Sequence, residues 1–348
     1  MFYNIKRKII EKKLAERNED KKFDYYKAES YSLKKNENPL VNNSYYFSAH
    51  DENLSIYCRL GLRSNQMETW FVIFYQGEKY YYEKELIMHG KSPLWVKRSL
   101  NCWVVTFEGE LLNSKGDKVN CLFKAAFSSE FKAIDFSTDM LSTRMAVAIA
   151  QEKWNKKFFE ELAKVQGQTH YEQVGLLEGY FSLGKKNIKF SLPAVRDHSF
   201  GVRDWNYMNN HLWLMALAKD EEFNYSMVSY PALSILEVGN FTKNGEDNRL
   251  IKEVKYDLKE VSGGVSPQEL KLKVTLNNGE ILDIKAKVLD TQDYHFQHND
   301  YLLIENIAEF DINGKSFRGI LEIGFNKDKK RFFNGKRTGS LKRWIYIN

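Results

Sequence analysis

Long apolar runs are missing from this sequence. Nothing in its 348 residues approaches the about 18 consecutive apolar positions that mark a membrane-crossing helix. Cysteine is scarce. Cys58, Cys102 and Cys121 are odd in number and lack C-x-x-C spacing, which weakens both a disulfide framework and a thiolate metal site and points to a reducing, cytoplasmic setting. Residues 1–22 hold no signal-peptide apolar run, and Glu11, Glu16, Glu19 and Asp20 count against a transit peptide. Proline is limited to five residues and no segment is of low complexity, so long disordered stretches are not expected. One-sided charge is lacking too. The 52 basic residues nearly cancel 46 acidic ones to leave +6, which suits a mixed solvated surface and excludes a dedicated nucleic-acid-binding face. The short catalytic signatures are absent: no phosphate-binding G-x-x-x-x-G-K-[ST], no strand-linked G-x-G-x-x-G, no G-x-S-x-G and no H-E-x-x-H. Seven histidines are scattered, with only His295 and His298 close together, so no metal site is expected.

What is present is aromatic and strand-like. Tyrosine (20) and phenylalanine (23) dominate an aromatic share of 14%, a composition that favours strands. Residues 1–42 form a charged arm in which Ile9, Ile10 and Leu14 predict a short amphipathic helix packed on the body. Acids interrupt the basic face of that helix, which counts against membrane attachment. From Ser44 onward, short segments such as S-Y-Y-F-S and W-V-V-T-F-E-G-E-L alternate, broken by turn signals at Ser64-Asn65, Gln76-Gly77, His89-Gly90 and Lys115-Gly116-Asp117. Regular strands with tight turns read as an antiparallel meander, hence a barrel or sandwich. The Tyr80-Tyr81-Tyr82 run reads as a wide aromatic strand, with a ligand-facing role as the alternative.

One long helix is predicted over Asp139–Val165, with Asp139 or Ser137 as its cap and Gln166-Gly167-Gln168 as its stop. Strand character then resumes to Gly324, with hairpin turns at Asn277-Asn278-Gly279 and Ile312-Asn313-Gly314-Lys315. Three segments follow: the arm, 1–42; a first β domain, 43–192, that includes helix 139–165; and a second β domain, 193–348. The tail from Lys327 to Arg343 is basic and interleaved with Phe332 and Phe333. An anionic lipid surface, by peripheral contact, or nucleic acid could use it; the plainer reading is an edge hairpin guarded by lysines.

Chemistry concentrates in V-R-D-H-S-F-G-V-R-D-W (195–205), preceded by His170-Tyr171-Glu172-Gln173 and followed by His211. Charges set among large apolar side chains need partners. Alternation along a strand puts Arg196 and His198 on one face and Asp197 and Ser199 on the other, which argues against a simple Asp–His dyad. In an acid–base reading, Asp197 or Glu172 donates a proton, with His198 or His170 as partner and Trp205 or Tyr171 as an aromatic wall. In the plainer reading, pairs such as Arg196–Asp204 and Arg203–Asp197 lock a seam.

At these residues the chain resembles a known family. H-Y-E-Q-V-G-L-L-E-G-Y-F-S-L-G (170–184) and R-D-H-S-F-G-V-R-D-W (196–205) are similar to the signature of the AttH/hydroxyneurosporene synthase-like tandem lipocalin-related proteins. They are nearest to an uncharacterised branch that usually reads R-D-H-S-W-G-x-R-D-W; Phe200 replaces the usual Trp. N-x-S-Y-Y-F (42–47) and W-x-x-x-F-E-G (103–109) also fit, so the likeness covers residues 42–325. It implies two calycin-like antiparallel barrels in tandem and a cavity at the domain junction. It also implies cofactor-free chemistry on hydrophobic, isoprenoid-like molecules: hydration, cyclisation or isomerisation. Glu172, Gln173, Arg196, Asp197, His198, Arg203, Asp204 and Trp205 are the positions the pattern marks. Asp197 is then the expected proton donor, His198 tunes it, Arg196 and Arg203 hold the carboxylates, and Tyr171, His170 and His211 complete the substrate-binding set. A carrier that binds a hydrophobic small molecule without reaction is the alternative.

Overall fold

The computed structural model describes residues 2–19, 24–33, 38–88, 91–99, 102–136, 139, 142–164, 168–219, 221–233, 235–243, 248–256, 265–296 and 300–327. The His89-Gly90 turn, Ser137, the Gln166-Gly167 stop, His298 and the basic tail beyond Lys327 lie outside the described residues. The chain divides into two compact units, one within 24–135 and 168–203, the other within 1–23, 136–167 and 204–348.

The first unit begins with the short helix α1 (Tyr25–Glu29). Its sheet is built from β1 (Val41–His50), β2 (Leu54–Leu62), β3 (Met67–Tyr75), β4 (Glu78–Tyr81), β5 (Leu86–Ile87), β6 (Leu94–Ser99), β7 (Cys102–Asn113), β8 (Lys118–Ser128), β9 (Ile134–Asp135), β10 (Gln168–Leu183) and β11 (Lys186–Val202). Strands β11, β1, β2, β3, β4, β7, β8 and β10 pair in that order, and β10 pairs with β11 along its whole length, so the pairing returns to its start. The side chains that alternate inward form an aromatic core, with Phe47, Phe71, Phe107, Phe123, Phe127 and Phe181 all buried. Tyr80 and Tyr82 pack against it, so the tyrosine run serves the core as well as β4. Cys58, Cys102 and Cys121 are free thiols.

The second unit is a closed antiparallel barrel of β12 (Asn210–Ala218), β13 (Glu221–Ser229), β14 (Leu236–Lys243), β15 (Arg249–Lys255), β16 (Glu269–Leu276), β17 (Ile281–Phe296), β18 (Tyr301–Ile312) and β19 (Lys315–Asn326). Its hairpins turn where expected: Gly279 has φ +91°, and Asn313 and Gly314 have φ 52° and 84°, values that a two-residue turn demands and that glycine and asparagine tolerate. The barrel is filled by apolar side chains including Leu212, Leu214, Phe223, Leu270 and Phe310.

This is a mostly β, antiparallel architecture with few helices, as the sequence leads one to expect. Two details differ. The single helix over Asp139–Val165 is two: Ser142–Gln151, labelled α2, and Lys156–Lys164, labelled α3. Asn155 starts the second by accepting a hydrogen bond from Phe158 N at 2.8 Å, and Trp154 Nε1 donates to Ile149 O at 2.9 Å across the break. Both helices belong to the barrel unit, where Ala146, Ile149, Phe158 and Leu162 cluster with Leu233 and Leu236. The other detail concerns a division at residue 193. β11 runs through 192 and 193 unbroken, held by β10 and β1, so residues up to 203 stay with the first unit.

Candidate functional site

The β10–β11 hairpin, turned at Gly184 (φ +60°), sets the site. Its register places His170 opposite Ser199, Tyr171 opposite His198, Glu172 opposite Asp197 and Gln173 opposite Arg196. Because side chains alternate, the hairpin sorts its polar residues into two sets on opposite faces.

Tyr171, Gln173, Arg196 and His198 share the inward face with Leu177, Leu192 and Ala194 of the aromatic core. Arg196 is 1% exposed. Its Nη2 lies 2.7 Å from Glu29 Oε1 and donates to Tyr25 Oη at 2.9 Å and Gln173 Oε1 at 2.8 Å. The guanidinium also sits over Trp103 at 5.0 Å and Tyr171 at 5.5 Å, so its charge is met by aromatic faces as well as by a carboxylate. Tyr171 Oη is 2.9 Å from Glu29 Oε1 and 2.5 Å from His198 Nδ1. His198 Nε2 is 2.7 Å from Asn43 Oδ1.

The tautomer follows from Asn43. Its Nδ2 donates to Tyr31 O and Tyr45 Oη, so its Oδ1 accepts from His198 Nε2–H, and His198 Nδ1 and Glu29 Oε1 are left as two acceptors for the single proton of the Tyr171 hydroxyl. Burial, reinforced by the nearby Arg196 charge, pushes the His198 pKa down to about 3, so the imidazole is neutral. Burial and the Glu29 charge push Tyr171 up, which keeps its proton on. Glu29 Oε2, Arg196 Nε and Arg196 Nη1 are buried without a hydrogen-bond partner. A fully buried ion pair with three such atoms is costly unless something polar joins it.

His170, Glu172 and Asp197 lie on the other face. His170 Nε2 is 3.2 Å from Asp197 Oδ2 and 3.4 Å from Glu172 Oε1. Burial opposes protonation of His170, but the two carboxylates outweigh it and raise its pKa to about 10. Burial likewise works against the Asp197 carboxylate, yet the charges of His170 and Arg203 leave its pKa below the usual value. Asp197 is therefore an anion beside a histidinium at neutral pH. Asp197 and His198 do not meet, and the histidine that engages Asp197 is His170. Arg203 follows β11 and donates its backbone N–H to Leu40 O at 2.8 Å.

Asp204, Trp205 and His211 belong to the barrel unit. Asp204 is exposed and caps the 3-10 turn Trp205–Tyr207 by accepting from Asn206 N at 3.0 Å. Trp205 stacks on Phe296 with centroids 4.5 Å apart. His211 contacts Tyr301 Oη at 2.6 Å and Glu322 Oε1 at 2.5 Å.

Sequence reading missed Glu29 and Tyr25 because they sit in an arm whose charges look like a solvated face. The Asp24 cap, which accepts from Lys27 N, is the only local sign of α1. Asn43, Tyr45 and Trp103 lie in the runs 42–47 and 103–109, and the register shows why: Tyr45 faces His198 across β1–β11 and stacks on it at 4.4 Å.

Comparison with known proteins places this architecture. A Nitrosomonas europaea protein described as AttH superposes with a TM-score of 0.53 at 10% identity, covering 84% of this chain and 97% of that one. Kievitone hydratase from Nectria haematococca gives 0.52 at 11% identity, covering 82% and 89%. At such identities the likeness is one of fold: the chain has the AttH-like, lipocalin-related fold. It belongs to the family described as domain of unknown function DUF7064, whose profile matches residues 33–327. No curated protein matches the sequence.

Proposed function

We propose that this protein is an enzyme that works with its own side chains, without a cofactor, on a hydrophobic, isoprenoid-like small molecule. The reaction class is proton transfer leading to hydration, cyclisation or isomerisation, at the inward face of the β10–β11 hairpin. One observation carries the reading: the Arg196–Glu29 pair is wholly buried among Trp103, Phe127 and Tyr171, yet keeps unpartnered polar atoms. An oxygen of the substrate satisfies Arg196 there, and the aromatic walls take the apolar remainder. Tyr171 stands between a carboxylate and a neutral imidazole: its hydroxyl delivers a proton to the substrate, Glu29 or His198 takes the proton that the substrate or its attacking water releases, and the same contact returns it to Tyr171 Oη. A hydratase on the same fold supports the view that the architecture can house such chemistry.

The test begins by extracting the native protein and identifying any retained lipophile by mass spectrometry. With that molecule or its analogues as substrate, Tyr171→Phe is expected to lower turnover about 10²–10⁴-fold while ligand affinity changes little. Asp197→Asn is the companion variant. If it abolishes turnover and Tyr171→Phe does not, the proton donor is on the outward face. Tight binding with no conversion in the wild type identifies a carrier, and the absence of any retained or bound lipophile sinks both readings.

A further inference from the structure

The helix Phe2–Glu19 belongs to the barrel unit and packs against α2. Ile10 and Leu14 pack into the cluster that holds Ala146 and Ile149 of α2, and Lys6 Nζ donates to Glu152 O at 2.6 Å. A side roughly a third of a turn round the helix presents Phe2, Ile5 and Ile9, which are 82%, 49% and 43% exposed, so Ile9 does not pack on the body as its spacing with Ile10 and Leu14 suggests. Their spacing of three and four residues stacks them into one stripe along the helix. At about 100° per residue, Lys8 and Lys12 border that stripe on one side and Lys13 on the other, and all three are exposed.

We propose that this helix seats the protein on an anionic phospholipid surface, with Phe2, Ile5 and Ile9 sunk among the headgroups and the lysines engaging lipid phosphates. Charge complementarity favours this occupant. Between Phe2 and Leu14, Lys6, Arg7, Lys8, Lys12 and Lys13 face one acid, Glu11. Glu11 is taken by Arg7 at 2.6 Å on a side remote from the stripe. Glu16, loosely paired with Lys12 at 3.9 Å, falls on the line of the stripe about two turns beyond Ile9, so the apolar stripe and its basic borders run from Phe2 to Lys13. Area also favours lipid over protein: three side chains offer far less than the about 800 Å² per partner of a stable protein interface. An interfacial helix needs only a narrow apolar face and flanking cations.

The experiment is flotation of the purified full chain with vesicles of phosphatidylcholine alone or mixed with phosphatidylserine. The expected result is binding to the mixed vesicles only, reversed by high salt. Removing the charges at Lys8→Gln, Lys12→Gln and Lys13→Gln is expected to weaken partitioning about fivefold per lysine. Ile5→Asp with Ile9→Asp is expected to abolish it while the far-UV spectrum and unfolding midpoint stay as in the wild type, because both side chains are exposed. Equal binding to neutral vesicles, undiminished binding of the double variant, or a wild-type dimer that the double variant converts to monomer would each overturn the proposal.

Discussion

At the scale of single residues, the inward face is governed by one ion pair and one neutral histidine. Breaking a buried pair strands a charge, so Arg196→Met is expected to destabilise the fold by about 3–5 kcal/mol in a urea titration. Adding Glu29→Gln should recover part of that loss, because the stranded carboxylate is then gone. The outward cluster predicts a pH dependence. The pKa of His170 is raised to about 10, so its contribution is complete below the unfolded value of 6.5 and disappears as pH climbs toward 10. The lowered Asp197 contributes above the ordinary 3.8 and loses its effect in acid. His170→Gln should therefore destabilise most near pH 6, and the gap to wild type should close by about pH 10. A gap that stays constant across that range would mean His170 carries no proton in the native protein.

At the scale of elements, alternation and turn chemistry are legible in the sequence, whereas long-range pairing is not. Hairpins at Asn277–Gly279 and Asn313-Gly314 follow from residues that accept positive φ, a local property. The two faces of β11 also follow from local alternation, so the separation of Asp197 from His198 is written into the order of the residues themselves. That His170 is the partner of Asp197 follows from the register that the tight turn at Gly184 sets and that the hairpin carries unshifted down both strands, a step legible only once that turn is placed. Glu29 arrives from a five-residue helix in a charged arm, and its value comes only from the Arg196 it meets. The α2–α3 break is legible in part: the apolar spacing lapses between Ile149 and Phe158, and Asn155 is a capping residue. Asn155→Ala is expected to cost about 1 kcal/mol of stability by thermal or urea unfolding, since the Phe158 N–H loses its acceptor.

At the scale of the whole molecule, the two β units differ in which polar groups interrupt their apolar interiors. The barrel interior is mostly Leu, Ile, Val and Phe around Leu214 and Phe310, and the polar group that Tyr225 and Tyr256 form there with Glu237 is closed off by the Arg144 ion pair. The inward face of the first unit interrupts a similar core with Arg196, His198 and Gln173. A lipophilic photoaffinity probe should therefore label β1, β7, β10 or β11, with cross-linked peptides read by mass spectrometry. Labelling confined to the inner strands of the barrel would contradict that assignment. Among the described residues no helix is long and apolar enough to cross a membrane.

Strand β11 carries both polar clusters on consecutive residues of one backbone. A single inserted or deleted residue between 195 and 199 would exchange them, sending Asp197 into the aromatic interior and Arg196 out of it. Neither cluster can drift in sequence without the other, so this segment should tolerate replacement one position at a time but almost no change in length.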